Sequence, residues 1–170
     1  MGRWTREEIL ETHDKYLDAV RQAVRTNDWT VWSEMYTEDA DYIEHHFGHF
    51  SGRAAIRKFM QGCWGAFPAM YMTSFPPVWR IVDEDRGWLV GEFSNRMQDL
   101  GDGILYEARN ISIFHYAGRG LFSHQEDFYN PAAMGKMINA WSAARERLQK
   151  EGGDNEEAEL ARRAESFKAM

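Results

Sequence analysis

The strongest constraint on the fold is a change of hydrophobic period near residue 78. Before it, apolar residues recur at helical spacing, with Ile9, Leu17 and Val24 on one face of a predicted helix. After it, apolar and polar residues alternate in four segments that are separated by glycine-containing turns. These predicted strands are residues 78–82, 88–97, 104–116 and 121–129. Helices followed by an antiparallel meander are typical of an α+β domain.

Helices are predicted on both sides of this meander. Thr5 and Glu8 form a capping box at the start of the first helix, and Pro131 takes the first position of the last one. The predicted helices are residues 6–26, a short segment that carries Trp29 to Met35, residues 53–67, and residues 131–152. A further strand is predicted over residues 41–47. We assign residues 1–150 to one domain and residues 151–170 to an acidic tail, either frayed or a partner-docking helix.

Composition argues against several classes of protein. The formal net charge of −7 argues against a nucleic-acid partner, whose binders usually carry a basic face. No segment has the roughly 20 consecutive apolar residues of a membrane span, and the first residues lack the apolar run of a signal peptide. Cys63 stands alone and forms no intrachain disulfide, which is typical of a reducing compartment. We therefore expect a cytoplasmic protein without a nucleic-acid or membrane partner.

Two motifs resemble the SnoaL-like branch of the nuclear transport factor 2-like superfamily. In residues 36–59, an aromatic residue, an acidic pair and a strand precede the sequence Gly52-Arg53-Ala54-Ala55-Ile56. The second motif is Glu126-Asp127-Phe128-Tyr129-Asn130-Pro131. The resemblance covers residues 5 to about 145. It implies a cystatin-like cone, in which a curved antiparallel or mixed sheet wraps around a pocket with three N-terminal helices and one C-terminal helix.

The resemblance also implies carboxylate chemistry, because relatives include ketosteroid isomerase, polyketide cyclases and limonene epoxide hydrolase. Glu44 corresponds to the general base of the isomerase, whose oxyanion-hole residues fall here on Val20 and Ser112. Asp127 stands where the cyclases and the epoxide hydrolase place an acid. Arg109 is available for the arginine of the hydrolase, but the second aspartate of that enzyme has no counterpart. Neither the isomerase set nor the epoxide hydrolase set is therefore complete in this chain.

Strand alternation directs the candidate residues toward the interior. A carboxylate among aromatic side chains is desolvated, which raises its pKa and suits it to acid–base work near neutral pH. The alternative is that the carboxylates bind arginine, backbone amides or solvent at strand ends. The predicted catalytic residues are Asp127, Glu44, Asn110 and His46. The predicted ligand-binding residues are Tyr16, Trp32, Phe59, Trp64, Phe93, Ser112, Phe114 and Tyr129.

No metal or cofactor is predicted. His45, His46 and His49 lie close to Glu44 in the sequence, but successive residues of a strand point to opposite faces and cannot chelate together. The sequence also contains no phosphate-binding glycine loop and no dinucleotide fingerprint.

Two functions remain open at this point. The first is a cofactor-independent isomerase, cyclase, hydratase or dehydratase that acts on a small hydrophobic oxygenated molecule of polyketide, steroid or terpenoid type. The second is a non-catalytic small-molecule-binding or dimeric scaffold module. In both cases we expect a homodimer through the outer face of the sheet, where Leu105, Ile111 and Ile113 accompany Glu107 and Arg109. In the alternative arrangement, the C-terminal helix covers that face within one chain.

Overall fold

The computed structural model describes residues 2–152, which form an α+β domain. Its helices are α1 (Arg6–Thr26), α2 (Thr30–Ser33), α3 (Arg53–Trp64) and α4 (Pro131–Gly152). Its strands are β1 (Tyr36–Glu44), β2 (Gly48–Ser51), β3 (Met72–Ser74), β4 (Pro77–Asp83), β5 (Trp88–Met97), β6 (Glu107–Gly118) and β7 (Leu121–Tyr129). Apart from residues 151 and 152, the predicted acidic tail lies outside the described residues.

The strands build one curved mixed sheet. Its order is β2–β1–β7–β6–β5–β3, and β4 pairs with β5. β1 and β7 run parallel, whereas the other pairs are antiparallel. Register shifts interrupt four of these ladders, and such bulges bend a sheet. The predicted fold class is confirmed.

Local signals located the long strands better than the short ones. β5 and β7 have the predicted bounds, but β6 begins at Glu107 instead of residue 104, so that Ile104 and Leu105 lie exposed in the preceding loop. Leu105 is therefore not part of the outer face. β1 ends at Glu44 because residues 45–47 form the turn into β2. Strands as short as β2 and β3 carry too few residues for a recognisable alternation.

The core occupies the inner face of the sheet. Val20, Val24 and Trp32 from the first two helices pack there against Phe114 and Phe122. At the other end of the same face, α4 contributes its own apolar residues. These are Met137, Trp141 and Ala144, which cluster with Met97, Tyr106 and Ala108. Since Ala108 lies on the face of β6 that also carries Asn110, α4 covers the inner face and not the outer one. Among residues 2–152, no helix is long and apolar enough to cross a membrane.

Candidate active site

Two connected chambers lie between the inner face and the helices. The inner one has a volume of about 90 Å³ and lies against α1. The outer one has a volume of about 570 Å³ and lies between β1, α3, the segment 66–69 and the first turns of α4. The residues that line both chambers are Tyr42, Met60, Trp64, Asn95, Asn110 and Asp127. Asp127 thus stands at the junction of the chambers.

The register of three strands brings the polar residues of this junction together. Asp127 on β7 pairs with Ser112 on β6 and with Glu44 on β1. One step along the ladder, Gln125 pairs with Tyr42, and the side chains of both point to the same face as Asp127. A strand repeats its side-chain direction every second residue, which explains why these residues face one space.

The carboxylate of Asp127 accepts hydrogen bonds from three side chains. Ser112 Oγ donates to Oδ1 at 2.5 Å, and the Tyr42 hydroxyl donates to Oδ2 at 2.5 Å. The amide nitrogen of Gln125 lies 3.1 and 3.0 Å from the two oxygens. All three groups donate toward the carboxylate, and this is the arrangement that stabilises its ionised form.

A second layer of hydrogen bonds fixes these donors. Asn95 donates to Asn110 at 2.9 Å, and Asn110 donates to Ser112 Oγ at 2.8 Å. The hydroxyls of Tyr16 and Tyr36 both donate to the amide oxygen of Gln125, so that its nitrogen must face Asp127. The orientation of each donor around Asp127 is thereby determined by the fold.

Opposing effects act on the pKa of Asp127. Burial raises it, the hydrogen bonds from Ser112, Tyr42 and Gln125 lower it, and the neighbouring carboxylate Glu44 raises it. The net pKa lies above the ordinary value for aspartate. Burial and the charge of Asp127 raise the pKa of Tyr42, which therefore remains a proton donor. No Lys or Arg of residues 2–152 lines either chamber, so the carboxylate is not neutralised by a cation there.

Glu44 is buried and lines the outer chamber, but much of its bonding capacity is already used. Its Oε2 accepts the backbone amides of His46 and Phe47 at 2.8 and 2.7 Å, which closes the turn between β1 and β2. Burial and a hydrogen bond to Glu44 raise the pKa of Tyr129. The geometry therefore gives Glu44 a role in holding the turn and Tyr129.

Four residues predicted as catalytic surround the outer chamber, but not all in the predicted manner. Asp127, Asn110 and Glu44 project from strands. His46 was expected on a strand, whereas it lies in the exposed turn at the rim of the chamber. Its ring contacts Phe47 at a centroid distance of 4.9 Å.

Most residues predicted to bind a ligand line a chamber. Tyr16, Phe93, Ser112 and Phe114 line the inner one; Phe59 and Tyr129 line the outer one; Trp64 lines both. The prediction for Trp32 is wrong. Its side chain is fully buried and packs edge-on against Trp29 and Tyr36, because α2 turns it into the core behind the inner chamber.

Sequence reasoning did not single out several residues of the site. These are Tyr42, Gln125, Asn95, Met60 and His13. A signal existed for the first two, because each lies two residues before a predicted site residue on the same strand face. Arg109, by contrast, points away from the chambers and binds Glu107 at 2.9 Å. It cannot supply the arginine of an epoxide-hydrolase-type site.

Among the described residues, no group of three His, Cys, Asp or Glu side chains is arranged to hold a metal ion. His45 binds Glu126 at 2.8 Å and His49 binds Asp41 at 2.8 Å, both away from Glu44. His45 and His49 thus bind acidic residues of the outer face, whereas His46 lines the outer chamber.

The profile of the SnoaL-like domain family matches residues 15–124. The chain belongs to this family. A search of curated proteins finds no match. Among solved structures, a candidate isomerase of Bacillus subtilis is similar at 19% identity and a TM-score of 0.60 over 78% of this chain and 94% of its own.

Two further solved structures share the fold of this SnoaL-like protein. An LEH-like epoxide hydrolase of M. tuberculosis has 13% identity and a TM-score of 0.59 over 81% of this chain and 94% of its own. An NTF2-like protein of Anabaena variabilis has 18% identity and a TM-score of 0.56 over 76% of this chain and 96% of its own. At such identities the likeness establishes the fold, which hosts unrelated activities. The predicted resemblance to the SnoaL-like family and to the nuclear transport factor 2-like fold is confirmed.

Proposed function

We propose that this SnoaL-like protein is a cofactor-independent isomerase, cyclase, hydratase or dehydratase for a small hydrophobic oxygenated molecule of polyketide, steroid or terpenoid type. The observation that carries the proposal is the Asp127 carboxylate, which lies at the junction of two largely apolar chambers that no Lys or Arg of the described residues lines. Its raised pKa suits a group that takes and returns a proton near neutral pH.

The outer chamber supports the choice of substrate. A volume of about 570 Å³ falls within the range of pockets that hold drug-sized molecules. Its walls include Phe59, Trp64, Met72, Met134 and Ile138, which suit an apolar body. Such a body would lie against these residues, with its reacting carbon or hydroxyl group at Asp127.

In the proposed isomerisation, the Asp127 carboxylate takes a proton from a substrate carbon next to a carbonyl group. The electron pair of the broken C–H bond moves into a new double bond, and the carbonyl oxygen receives the negative charge. The carboxylic acid then returns the proton to another carbon. In a dehydration, the enolate electrons instead form a C=C bond and break the bond to the β-hydroxyl group, which takes the proton from the carboxylic acid of Asp127 and leaves as water. Ser112 and Tyr42 hold the carboxylate in place through both proton transfers.

Epoxide hydrolysis has less support from this site. The hydrolase neighbour suggests that reaction for the fold. Yet the arginine and the second aspartate that the resemblance requires have no counterpart around the described chambers, since Arg109 lies on the other face.

The test is an activity panel that comprises enone isomerisation, dehydration of β-hydroxy ketones and epoxide hydrolysis. Asp127→Asn should lower the rate of the reaction that the protein catalyses in this panel. We expect a loss of about 10²- to 10⁴-fold, the usual contribution of general acid–base catalysis. Glu44→Gln is the matched control and should lose less than about tenfold, because its proposed role is to hold the turn and Tyr129. An Asp127→Asn variant that folds normally and keeps full activity would refute the proposal.

A non-catalytic binding module is the second candidate, and one observation favours it. A carboxylate has about four acceptor positions, and the contacts of Ser112, Tyr42 and Gln125 with Asp127 occupy about that number. Two results together would favour this candidate. An apolar probe would bind tightly and equally well to the wild type and to Asp127→Asn, and no compound of the panel would be turned over.

We further propose that the protein works in the cytoplasm as a homodimer. The lone thiol of Cys63 supports a reducing compartment. On the outer face, Ile81, Trp88 and Phe128 are exposed beside Ile111 and Ile113, and an apolar patch of this kind is typical of an interface. Glu107 already binds Arg109 of its own strand, so the proposed interface does not require Glu107 of one chain to pair with Arg109 of the other.

A further inference from the structure

The junction of the two chambers carries two asparagines to which the proposed function gives no contact with the ligand. Asn95 on β5 and Asn110 on β6 both line the inner and the outer chamber. Each of them is only half-buried, although both side chains lie on the inner face of the sheet. They therefore border the open space beside Asp127.

One backbone carbonyl determines how both amide groups are oriented. Asn95 Nδ2 lies 3.3 Å from the carbonyl oxygen of Ala108 and 2.9 Å from Asn110 Oδ1. Because a carbonyl oxygen can only accept, the nitrogen of Asn95 must be the atom that faces Ala108. Asn110 Oδ1 then accepts from that nitrogen, and Asn110 Nδ2 donates to Ser112 Oγ at 2.8 Å. The proton of Ser112 is thereby directed to Asp127.

This chain of hydrogen bonds uses only part of each amide group. Asn95 donates through its nitrogen, and its Oδ1 atom accepts no hydrogen bond from residues 2–152. Asn110 has two amide hydrogens, of which only one reaches a described residue, Ser112. A free acceptor and a free donor thus remain at the junction. They lie near each other, because a hydrogen bond of 2.9 Å joins the other two atoms of the same amide groups.

The free acceptor is accessible from the chambers. Within residues 2–152, the enclosed polar side-chain atoms without a partner are His13 Nε2, Trp32 Nε1, Thr37 Oγ1 and Gln98 Oε1. Asn95 Oδ1 also has no partner, yet it does not belong to this enclosed set, and it therefore retains accessible surface. Since the side chain of Asn95 lines both chambers, a ligand there can reach this oxygen.

The neighbouring carboxylate leaves this acceptor to the ligand. Ser112, Tyr42 and Gln125 already donate to Asp127 and fill about the four acceptor positions of a carboxylate. An apolar ligand group at the junction would remove water from the two free amide atoms without replacing its hydrogen bonds, which is unfavourable. A hydroxyl group donates and accepts through one oxygen, so that it can satisfy both atoms.

We propose that Asn95 and Asn110 form a subsite for a hydroxyl group of the ligand, which donates to Asn95 Oδ1 and accepts from the free N–H of Asn110. The apolar body of the same ligand extends from this subsite into the outer chamber. Only this placement of the body rests on the proposed function. The subsite narrows the ligand to an apolar alcohol, phenol or enol, and it serves an enzyme and a binding module equally.

The test compares 2-naphthol, which donates and accepts, with 2-methoxynaphthalene, which only accepts. Calorimetry measures the binding of each probe to the wild type and to Asn95→Leu. We expect the preference for 2-naphthol to be about fivefold greater in the wild type than in Asn95→Leu, as one neutral hydrogen bond allows. Met60→Leu is the matched control, because it changes the wall of both chambers without removing a hydrogen-bonding amide and should leave the preference within about twofold.

A measurement on the wild type covers the case in which Asn95→Leu fails to fold. In carbon-13 NMR, the side-chain carbonyl signal of Asn95 should shift with 2-naphthol and not with 2-methoxynaphthalene. A preference that survives in Asn95→Leu would make Asp127 the acceptor and would overturn the inference. An Asn95 signal that does not respond, or no binding of either probe, would overturn it as well. Asp127-dependent turnover of another compound would in each of these cases leave the proposed function standing.

Discussion

The two faces of the strands β6 and β7 differ in the groups that bind their carboxylates. On the outer face, Glu107 binds Arg96 and Arg109 at 2.8 and 2.9 Å. On the inner face, Asp127 has no cation beside it within residues 2–152 and is held there by hydroxyl and amide donors. The outer carboxylate thus lies between two cations near solvent, whereas the inner one is held by neutral donors beside the chambers.

The histidines show the same contrast. His115 stacks between Trp88 and His124 on the outer face, where it is only partly buried. His13 is fully buried on the inner side, and its Nε2 atom has no hydrogen-bond partner among residues 2–152. The outer face therefore has the character of a surface for association, whereas the inner face places its polar groups beside the chambers. The following variants test this difference.

The largest expected effect concerns acid stability. The pKa of His13 is lowered from 6.5 to about 3 by burial and by Arg80, so its favourable neutral form is present above pH 6.5. As the pH falls below 6.5, protonation of the unfolded chain removes this contribution, and the loss ends near pH 3. Between pH 7 and pH 4 the wild type should lose about 3 kcal/mol of unfolding free energy relative to His13→Phe. Urea unfolding at both values measures it.

The outer histidine provides the control for this experiment. Burial and the nearby His124 also lower the pKa of His115. The contribution of His115 to the unfolding free energy is therefore also lost as the pH falls. Because His115 is partly exposed, His115→Gln should change the pH dependence much less than His13→Phe. Equal effects of the two substitutions would contradict the contrast between the faces.

The second prediction concerns association. Ile111→Lys combined with Ile113→Lys would place two unpaired charges in the proposed interface, and we expect the dimer to weaken at least about 100-fold. Sedimentation at micromolar concentration measures the change. Val31→Lys, at an exposed position on α2, serves as the control and should leave the dimer intact. A monomeric wild type, or a dimer that survives both lysines, would rule out the outer-face interface.

The third prediction concerns the hydroxyl of Tyr42. Tyr42→Phe removes one donor from Asp127 and should lower the unfolding free energy by about 2 kcal/mol, the value of a hydrogen bond to a charged group. The pKa of Asp127 should then rise further, since this hydrogen bond lowers it. The acidic limb of the activity profile should therefore move to higher pH. Tyr129→Phe, whose hydroxyl binds Glu44 instead, should leave that limb in place.

The sequence predicted the residues of the inner face well, because the side chains of a strand alternate between its two faces and this alternation can be read from the sequence. Asn110, Ser112 and Asp127 follow from alternation within strands whose bounds the glycine turns mark. The error at His46 has a local cause as well. Glu44 closes the turn through its own carboxylate, and glutamate is not among the usual turn-forming residues, so residues 45–47 read as a continued strand.

The remaining features depend on contacts between distant parts of the chain. The ring of His13 contacts Arg80, which lies 67 positions away and reaches it only after β4 packs beside α1. The inward direction of Trp32 depends on how α2 docks against the core. Neither sequence spacing nor periodicity contains this information, which explains why one residue was missed and the other was misplaced.

The smallest expected effect concerns a substitution of Glu107. The variant for comparison is at Ser112, which lies on the opposite face of the same strand. Although partial burial acts to raise it, hydrogen bonds from Ser94 and Arg96 hold the pKa of Glu107 below its ordinary value. Ionised Glu107 therefore stabilises the fold at pH values above the pKa that this residue has in the unfolded chain. This stabilisation is lost as the pH falls through the pKa of Glu107 in the folded protein. Glu107→Gln can still accept from Ser94, so at neutral pH we expect a loss below about 1 kcal/mol.

The response to salt distinguishes the two substitutions. Because Arg96 and Arg109 are partly exposed, the effect of Glu107→Gln should shrink in 0.5 M salt, which is roughly the range where ions screen surface charges. Ser112→Ala removes a donor from a carboxylate inside the chambers, and its effect should be larger and insensitive to salt. Urea unfolding of both variants at low and high salt measures this. A larger, salt-independent loss for Glu107→Gln would mean that the outer carboxylate, and not Asp127, is the one whose charge the fold isolates from solvent.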